Sequence, residues 1–273
     1  EILPICNIIE TLSLKKQINI CVLSPNYKAI NELLNTVRND NDDKVIYNDF
    51  NFDTIMNVSI KNRDYSPNLY QDKFDLFIFE FNIEDYKHTT SYFKNMILIL
   101  RLIMRCQSQQ GISIIKMDYI FYQTIVDILY IFSSMFDKIF IIKPLTSNIL
   151  NGERYIVCKC FNMRYLEENY IKLEKNIDNI LLSNIKINIH SLISNEIPYF
   201  FLNKIEESNA MIGQQQLETY SQLINLYNNK NKEDKINILK RNNIQKCIQW
   251  CIKKQIPYNN FTDKVNIFLT PKK

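Results

Sequence analysis

Residues 111–159 read GISIIKMDYIFYQTIVDILYIFSSMFDKIFIIKPLTSNILNGERYIVCK, and the order of apolar runs and breaks in this stretch decides the fold class. Gly111 breaks the chain before a short buried strand, 112–115, that ends on Lys116. A segment of helical length follows over 119–136. Asp137 and Lys138 then lead into a second apolar strand, 139–142, which stops at Lys143-Pro144. A turn at Asn151-Gly152 feeds Glu153 and a third strand, 155–158. Runs of four apolar residues bounded by turn signals suit strands buried on both faces. The first two strands are separated by a helix, which makes them parallel. The last two have none between them, which makes that pair antiparallel.

The same alternation extends toward the amino terminus. Residues 18–23 (Ile-Asn-Ile-Cys-Val-Leu) read as a buried strand ending at Ser24-Pro25, followed by Ile30, Leu33, Leu34 and Val37 at helical spacing. A strand is expected over 44–47, a largely polar loop over 50–73, and a buried strand over 74–79 that ends on Glu80. A helix carrying Phe93, Met96, Ile97, Leu100, Ile103 and Met104 is expected over 92–106. The expectation is an α/β, Rossmann-like sandwich over residues 1–164, mostly parallel with an antiparallel last strand. From 165 to 273 the pattern is that of a helical extension. Leu217, Tyr220, Ile224 and Tyr227 share one face of one helix. Ile244, Cys247, Ile248, Cys251 and Ile252 form an apolar stripe on another, with buried thiols expected at Cys247 and Cys251. The basic residues Arg241, Lys246, Lys253 and Lys254 lie off that stripe, where they suit either a solvated face or contacts to phosphates, and Trp250, also off it, suits stacking on a base, a partner contact or packing against 217–228.

Composition removes several function classes. The 273 residues include only three glycines, Gly111, Gly152 and Gly213, so no glycine-rich nucleotide cradle is present. Seven cysteines without a CxxC pair, and two histidines, argue against a disulfide framework, a zinc ribbon or a His-rich metal centre, so no metal is expected. Free thiols point to a reducing compartment, hence a cytoplasmic protein. The formal net charge of +4 permits a nucleic-acid partner without requiring one. No apolar run is long enough to span a membrane. Glu1 opens the chain without a methionine, so a piece of a longer protein is expected.

Three strands end on ionisable residues: Glu80, Lys116 and Lys143. A fourth is preceded by Glu153. Polar groups at the carboxyl edge of a parallel sheet converge on the crevice where such sheets bind ligands. Two lysines and two carboxylates there can tune an amine for general-base work. Each charge taken singly also marks where a buried strand meets water.

The three pieces Gly111–Lys116, Phe136–Ser147 and Glu153–Lys159 together resemble the carboxyl half of the FtsJ-like RNA ribose 2'-O-methyltransferases. The likeness is strongest to the cap-modifying branch of eukaryotes and large DNA viruses. There a glycine and a lysine bracket one strand, "KPxTSR" closes the next and "SERYxVCK" opens the last. The resemblance implies S-adenosylmethionine as cofactor, capped mRNA as substrate and a Lys-Asp-Lys-Glu tetrad. Lys116 falls on the second lysine, which accepts the hydroxyl proton, and Glu153 on the glutamate. The frame Asp75-Leu-Phe-Ile-Phe-Glu80 places Glu80 on the aspartate, one methylene longer. Lys143 and Ser147 fall on the substrate side. Lys15 and Lys16 lie near the expected first lysine, and neither occupies a recognisable frame.

The cofactor turn of the family is of the type Ala-Pro-Gly-Gly-Phe. Here the run is Leu23-Ser24-Pro25-Asn26-Tyr27-Lys28, with Leu23, Pro25, Asn26 and Tyr27 in the cofactor-binding frame and both glycines replaced. Asn26 is a residue able to take a positive φ, whereas Tyr27 puts a Cβ and a ring where close backbone approach is wanted. Two readings follow. One is an RNA cap 2'-O-methyltransferase. The other is a catalytically inactive methyltransferase fold that serves as a stimulatory or binding subunit beside another capping enzyme. A purely structural α/β module leaves the Lys-Pro-x-Thr-Ser and Glu-Arg-Tyr signals unexplained.

Overall fold

A computed structural model describes residues 17–38, 43–48, 73–81, 88–144, 147–162, 167–182, 190–228 and 232–253. Most of the loop expected over 50–73, together with Lys15, Lys16 and Lys254, lies outside them. The described elements are β1 (Asn19–Leu23), α1 (Tyr27–Val37), β2 (Lys44–Asn48), β3 (Phe74–Phe79), α2 (Thr89–Cys106) and β4 (Gln107–Met117). They continue with α3 (Gln123–Met135), β5 (Phe136–Ile142), β6 (Arg154–Phe161), α4 (Glu167–Leu182), α5 (Tyr199–Tyr227) and α6 (Lys232–Lys253).

The six strands form one sheet in the order β2-β1-β3-β4-β6-β5. The β1–β2, β1–β3 and β3–β4 pairs are parallel. β6 pairs antiparallel with both β4 and β5. The expected antiparallel pair is therefore present. Its placement adds something the sequence did not contain: β6 slots between β4 and β5, leaving β5 at the edge. Asp137 and Lys138, expected before that strand, lie within β5 and are exposed. Charges on an edge strand discourage pairing with another chain. From β1 the chain runs outward to β2 and then returns to the other side as β3. The carboxyl ends of β1 and β3 therefore flank the topological switch point, where the loops diverge and leave a crevice.

Each sheet face has its own apolar cluster. On one face α2 and α3 bury Met96, Leu100, Ile103, Ile128 and Phe132 against Phe77, Phe79 and Ile115. On the other, Ile30 and Leu34 of α1 meet Ile20, Val22, Ile78 and Ile114. Burying each such side chain contributes about 1.5–3 kcal/mol, which fixes the strand register because a one-residue slip exchanges the faces. Arg101, 2% exposed in the middle of α2, forms an ion pair with Asp178 of α4. Arg105 pairs with Glu174 one turn earlier. Asp127, fully buried in α3, accepts from Ser191 Oγ (2.6 Å) and the Leu192 amide (2.6 Å), docking the segment ahead of α5.

Some expected element boundaries move. Gly111 does not break the chain before a strand but lies inside β4, at a bulge where the β3–β4 register jumps between Phe74/Gln107 and Leu76/Ile112. Gln110 next to it takes φ 63°. A Cβ on Gly111 would fall 2.0 Å from Gln107 Nε2 and 2.8 Å from the Ser108 carbonyl, so the extra residues fold tightly under it. The helix expected from 119 starts at Gln123, leaving 118–122 as a loop. Cys158 is buried and Cys160 half-buried, the latter at a φ of 62°. Cys247 is exposed and Cys251 half-buried, so the stripe of α6 is not a sealed core. Burial raises the thiol pKa values of Cys21 and Cys158, and pushes that of Cys106 up to about 12.

The chain separates into two compact units, Glu1–Leu217 and Glu218–Lys273. The first holds the sheet, α1–α4 and most of α5; the second holds the last turns of α5 and α6. No described helix is long and apolar enough to cross a membrane.

Candidate active site

The crevice at the switch point is built from four strand ends. Glu80 is the first residue past β3. Its amide donates to the Leu23 carbonyl (2.9 Å), extending the β1–β3 pairing beyond the strand and aiming the carboxylate into the crevice. Lys116 is the penultimate residue of β4, on the same side of the pleat as Ile112 and Ile114. Glu153 directly precedes β6, and the antiparallel register that pairs Lys116 with Tyr155 brings it alongside.

The three side chains meet. Lys116 Nζ lies 2.7 Å from Glu80 Oε1 and 3.3 Å from Glu153 Oε2. Their side chains are 14%, 10% and 17% exposed, so the cluster is largely withdrawn from water yet open on one side. The extra methylene of a glutamate at position 80 lets its carboxylate bridge two elements. Oε1 takes the lysine, while Oε2 accepts from Ser24 Oγ (2.7 Å) and Asn26 Nδ2 (3.0 Å). The Asn26 backbone N–H in turn donates to Ser24 Oγ (2.9 Å). The turn after β1 is thereby tied to the lysine cluster through one carboxylate. Ser24, fully buried, was not singled out from the sequence. Only its place in the quoted run Leu23–Lys28 pointed to it.

The cofactor-frame residues hold this turn without glycine. Asn26 sits at φ −96°, ψ 21°, not at the positive φ open to it, and serves as the cap residue of α1. The turn therefore carries no left-handed residue, and losing the glycines costs space rather than backbone strain. Leu23 is buried, Pro25 and Asn26 are exposed, and the half-buried Tyr27 packs on the Ile20–Ile78 cluster as the first residue of α1. A hydroxyl, an amide and a carboxylate thus stand together at the two strand ends, and Ser24, Asn26 and Glu80 are the polar groups there that could hold a ligand.

Lys143 and Ser147, expected on the substrate side, are not brought into the Lys116 cluster. Lys143 Nζ donates to the carbonyls of Asn148 (2.9 Å), Asn151 (2.8 Å) and Glu153 (2.8 Å). It gathers the 148–153 loop and so holds the backbone that presents Glu153. Ser147 is 6% exposed and donates its hydroxyl to the Pro144 carbonyl (2.7 Å), closing the turn after β5.

Other residues at the rim escaped the sequence reading. Arg154, 1% exposed, donates to the Gly152 carbonyl (3.2 Å) and to Asn209 Oδ1 of α5 (2.6 Å). Its only signal was its place in the Glu-Arg-Tyr motif. Burial raises the pKa of Asp118, partly offset by the nearby Arg154 and Lys143 charges. Tyr119 and Phe121 follow on the loop leaving β4, their rings stacked with centroids 5.5 Å apart and planes 18° from parallel. They are 41% and 67% exposed, a π surface five residues or fewer from Lys116. Gly152 packs beneath this loop. A Cβ there would lie 2.4 Å from Tyr119 Cε1 and 2.5 Å from Asp118 Oδ1. Gly152→Ala is therefore expected to lower stability by about 1–3 kcal/mol through forced displacement of the 118–121 loop, checked by denaturant unfolding. A variant as stable as the parent would mean the loop yields freely.

No family model matches the chain. The chain is 31% identical over 132 residues to cap-specific mRNA (nucleoside-2'-O-)-methyltransferase 1 of Dictyostelium discoideum. It is 29% identical over 124 residues to cap-specific mRNA (nucleoside-2'-O-)-methyltransferase 2 of Mus musculus. These matches take in 45% and 43% of the chain but only 17% and 15% of the relatives, so the chain spans under a fifth of their length. Among solved structures, a ribosomal RNA methyltransferase from Plasmodium falciparum aligns with 59% of the chain and 97% of its own, at 16% identity and a TM-score of 0.40. Human methyltransferase-like protein 13 aligns with 69% of the chain and 89% of its own, at 8% identity and a TM-score of 0.33. In sequence, the chain is similar to the FtsJ-like cap-specific mRNA 2'-O-methyltransferases, the family that residues 111–159 resemble.

Proposed function

We propose that this chain is an RNA ribose 2'-O-methyltransferase domain that acts in mRNA cap modification with S-adenosylmethionine as methyl donor. The observation that carries the reading is the Lys116 side chain held between Glu80 and Glu153 at the switch point of the sheet. The cofactor supplies an electrophilic methyl group. Lys116 would orient the ribose 2'-hydroxyl and, once its ammonium has given up a proton, accept the hydroxyl proton: an O–H bond breaks as an N–H bond forms, and the oxygen is freed to take the methyl group as its bond to the donor sulfur breaks. Glu80 and Glu153 offset the ammonium that results and fix its position. Lys143 and Arg154 hold Glu153 in register from behind. The stacked Tyr119–Phe121 pair offers a nucleobase a flat apolar face next to the reacting ribose.

A second reading has one observation in its favour. The turn over Ser24–Tyr27 carries a side chain at every position where the family has glycine, and Glu80 is engaged in holding it closed. On that reading the domain is a catalytically inactive partner of another capping enzyme. The cytoplasm is the compartment we infer for either, from an odd number of cysteines with no CxxC pair in the sequence.

Calorimetric titration with S-adenosylmethionine, followed by a methyl-transfer assay on capped RNA, tests the proposal. Micromolar cofactor binding with transfer to a ribose 2'-oxygen is the expected result. Absence of binding by the parent, restored in Tyr27→Gly, would instead assign the inactive role and name its cause.

A further inference from the structure

Helix α6 has six basic residues and two acidic ones. Its charge of +4 equals the formal net charge of the entire chain, so the remaining 251 positions sum to neutrality. The charge is also ordered. Glu233 and Asp234 sit in the first turn, where they complement the positive end of the helix. Lys235, Asn242, Lys246, Gln249 and Lys253 fall at i, i+7, i+11, i+14 and i+18, a stripe with Leu239 at its edge and from which both acids are absent. All five side chains are exposed, and the stripe runs about 27 Å at 1.5 Å per residue. Among the described residues no carboxylate pairs with any of the three lysines. Trp250, half-buried, borders the stripe.

We propose that this lysine stripe of α6 binds the sugar–phosphate backbone of RNA, anchoring the nucleic acid without taking part in the chemistry. The inference rests on the reading of RNA as substrate. Its chemistry is that of a sequence-independent contact. Unpaired ammonium groups displace condensed counterions from phosphates, while Asn242 and Gln249 supply neutral hydrogen-bond donors and acceptors for sugar and phosphate oxygens between them. An acid-free stripe is the complement of a polyanion. Trp250 offers a stacking face to an unpaired base beside that track. A single-stranded segment is the better fit, because it lets phosphates follow a straight helix and bases turn toward the indole.

The test uses the full chain and a labelled single-stranded RNA of about 20 nucleotides, capped and uncapped, titrated between about 50 and 200 mM salt. Lys235→Gln/Lys246→Gln/Lys253→Gln is compared with Lys138→Gln/Lys172→Gln/Lys175→Gln, which removes the same charge from exposed positions elsewhere. Glutamine preserves helix propensity, so the fold is retained. The stripe variant is expected to lose about tenfold or more in affinity, with its log–log salt slope reduced by about 2, whereas the control stays near the parent. Equal losses in the two variants, no loss in the first, or no RNA binding by the parent would overturn the proposal. Methyl transfer read on the same proteins separates the two inferences. RNA binding that depends on the stripe without any transfer leaves the anchor standing and removes the enzyme. Transfer with an inert stripe does the reverse.

Discussion

Lys116→Ala is expected to reduce methyl transfer to capped RNA by about a hundredfold to ten-thousandfold, the range supplied by a positioned general base. RNA affinity is expected to stay near the parent value, because the anchoring charge lies on α6. The informative companion is Lys116→Arg. A guanidinium retains the positive charge and both carboxylate partners but does not accept a proton in the working pH range. Retention of most activity by Lys116→Arg would show that the residue acts through its charge alone, and the base assignment would fall. Alanine also leaves Glu80 and Glu153 facing one another with the intervening cation removed. The distances of 2.7 and 3.3 Å make that repulsion local, and the partial exposure of all three side chains lets water relieve part of it. A loss of about 1–2 kcal/mol in stability is expected, too small to account for the activity loss, and denaturant unfolding separates the two effects.

Arg154→Ala is expected to have the largest effect on stability, about 3–5 kcal/mol, since two hydrogen bonds donated by a buried charged group are lost at about 1.5–3 kcal/mol each. The guanidinium links the Gly152 carbonyl to Asn209 of α5, and Asn209 Nδ2 donates onward to the Ile120 carbonyl (2.9 Å). One side chain thus ties the loop that presents Glu153, the loop that leaves Lys116, and the helix packed behind them. Its removal is expected to lower kcat more than it raises KM, since Glu153 loses its support while the outer RNA contacts remain. The deficit is also expected to depend on pH. Asp118 already has a raised pKa from burial, and Arg154 is the first charge that counters it. Without Arg154 the folded-state pKa of Asp118 rises further. A raised carboxyl pKa costs nothing while the group is protonated in both states and costs stability as the pH climbs through the folded value. The gap between parent and variant should therefore widen from mildly acidic to neutral pH. A gap constant with pH would place the effect in packing and the Asn209 contact, which the double-mutant cycle with Asn209→Ala measures.

The sequence by itself determined the alternation of strands and helices, because apolar runs such as 74–79 and 112–115 and the period of 92–106 are local signals set by side-chain burial. It also supplied the residues of the central cluster, since Glu80, Lys116 and Glu153 each mark the end or the start of a buried strand. It did not determine which strands are neighbours. That β6 slides between β4 and β5 follows from pairing residues such as Lys116 and Tyr155, 39 positions apart, and no local pattern encodes that choice. The same limit explains Lys143 and Ser147. Their types suit a substrate, but the turn after β5 directs one ammonium to three loop carbonyls and one hydroxyl to Pro144. It explains Asn26 too, whose conformation is fixed by Glu80 reaching across from another strand. Local sequence sets what a segment becomes through burial and backbone preference. Which polar atoms meet is a property of the sheet, because hydrogen bonds and ion pairs between distant residues form only after register has fixed where each strand ends.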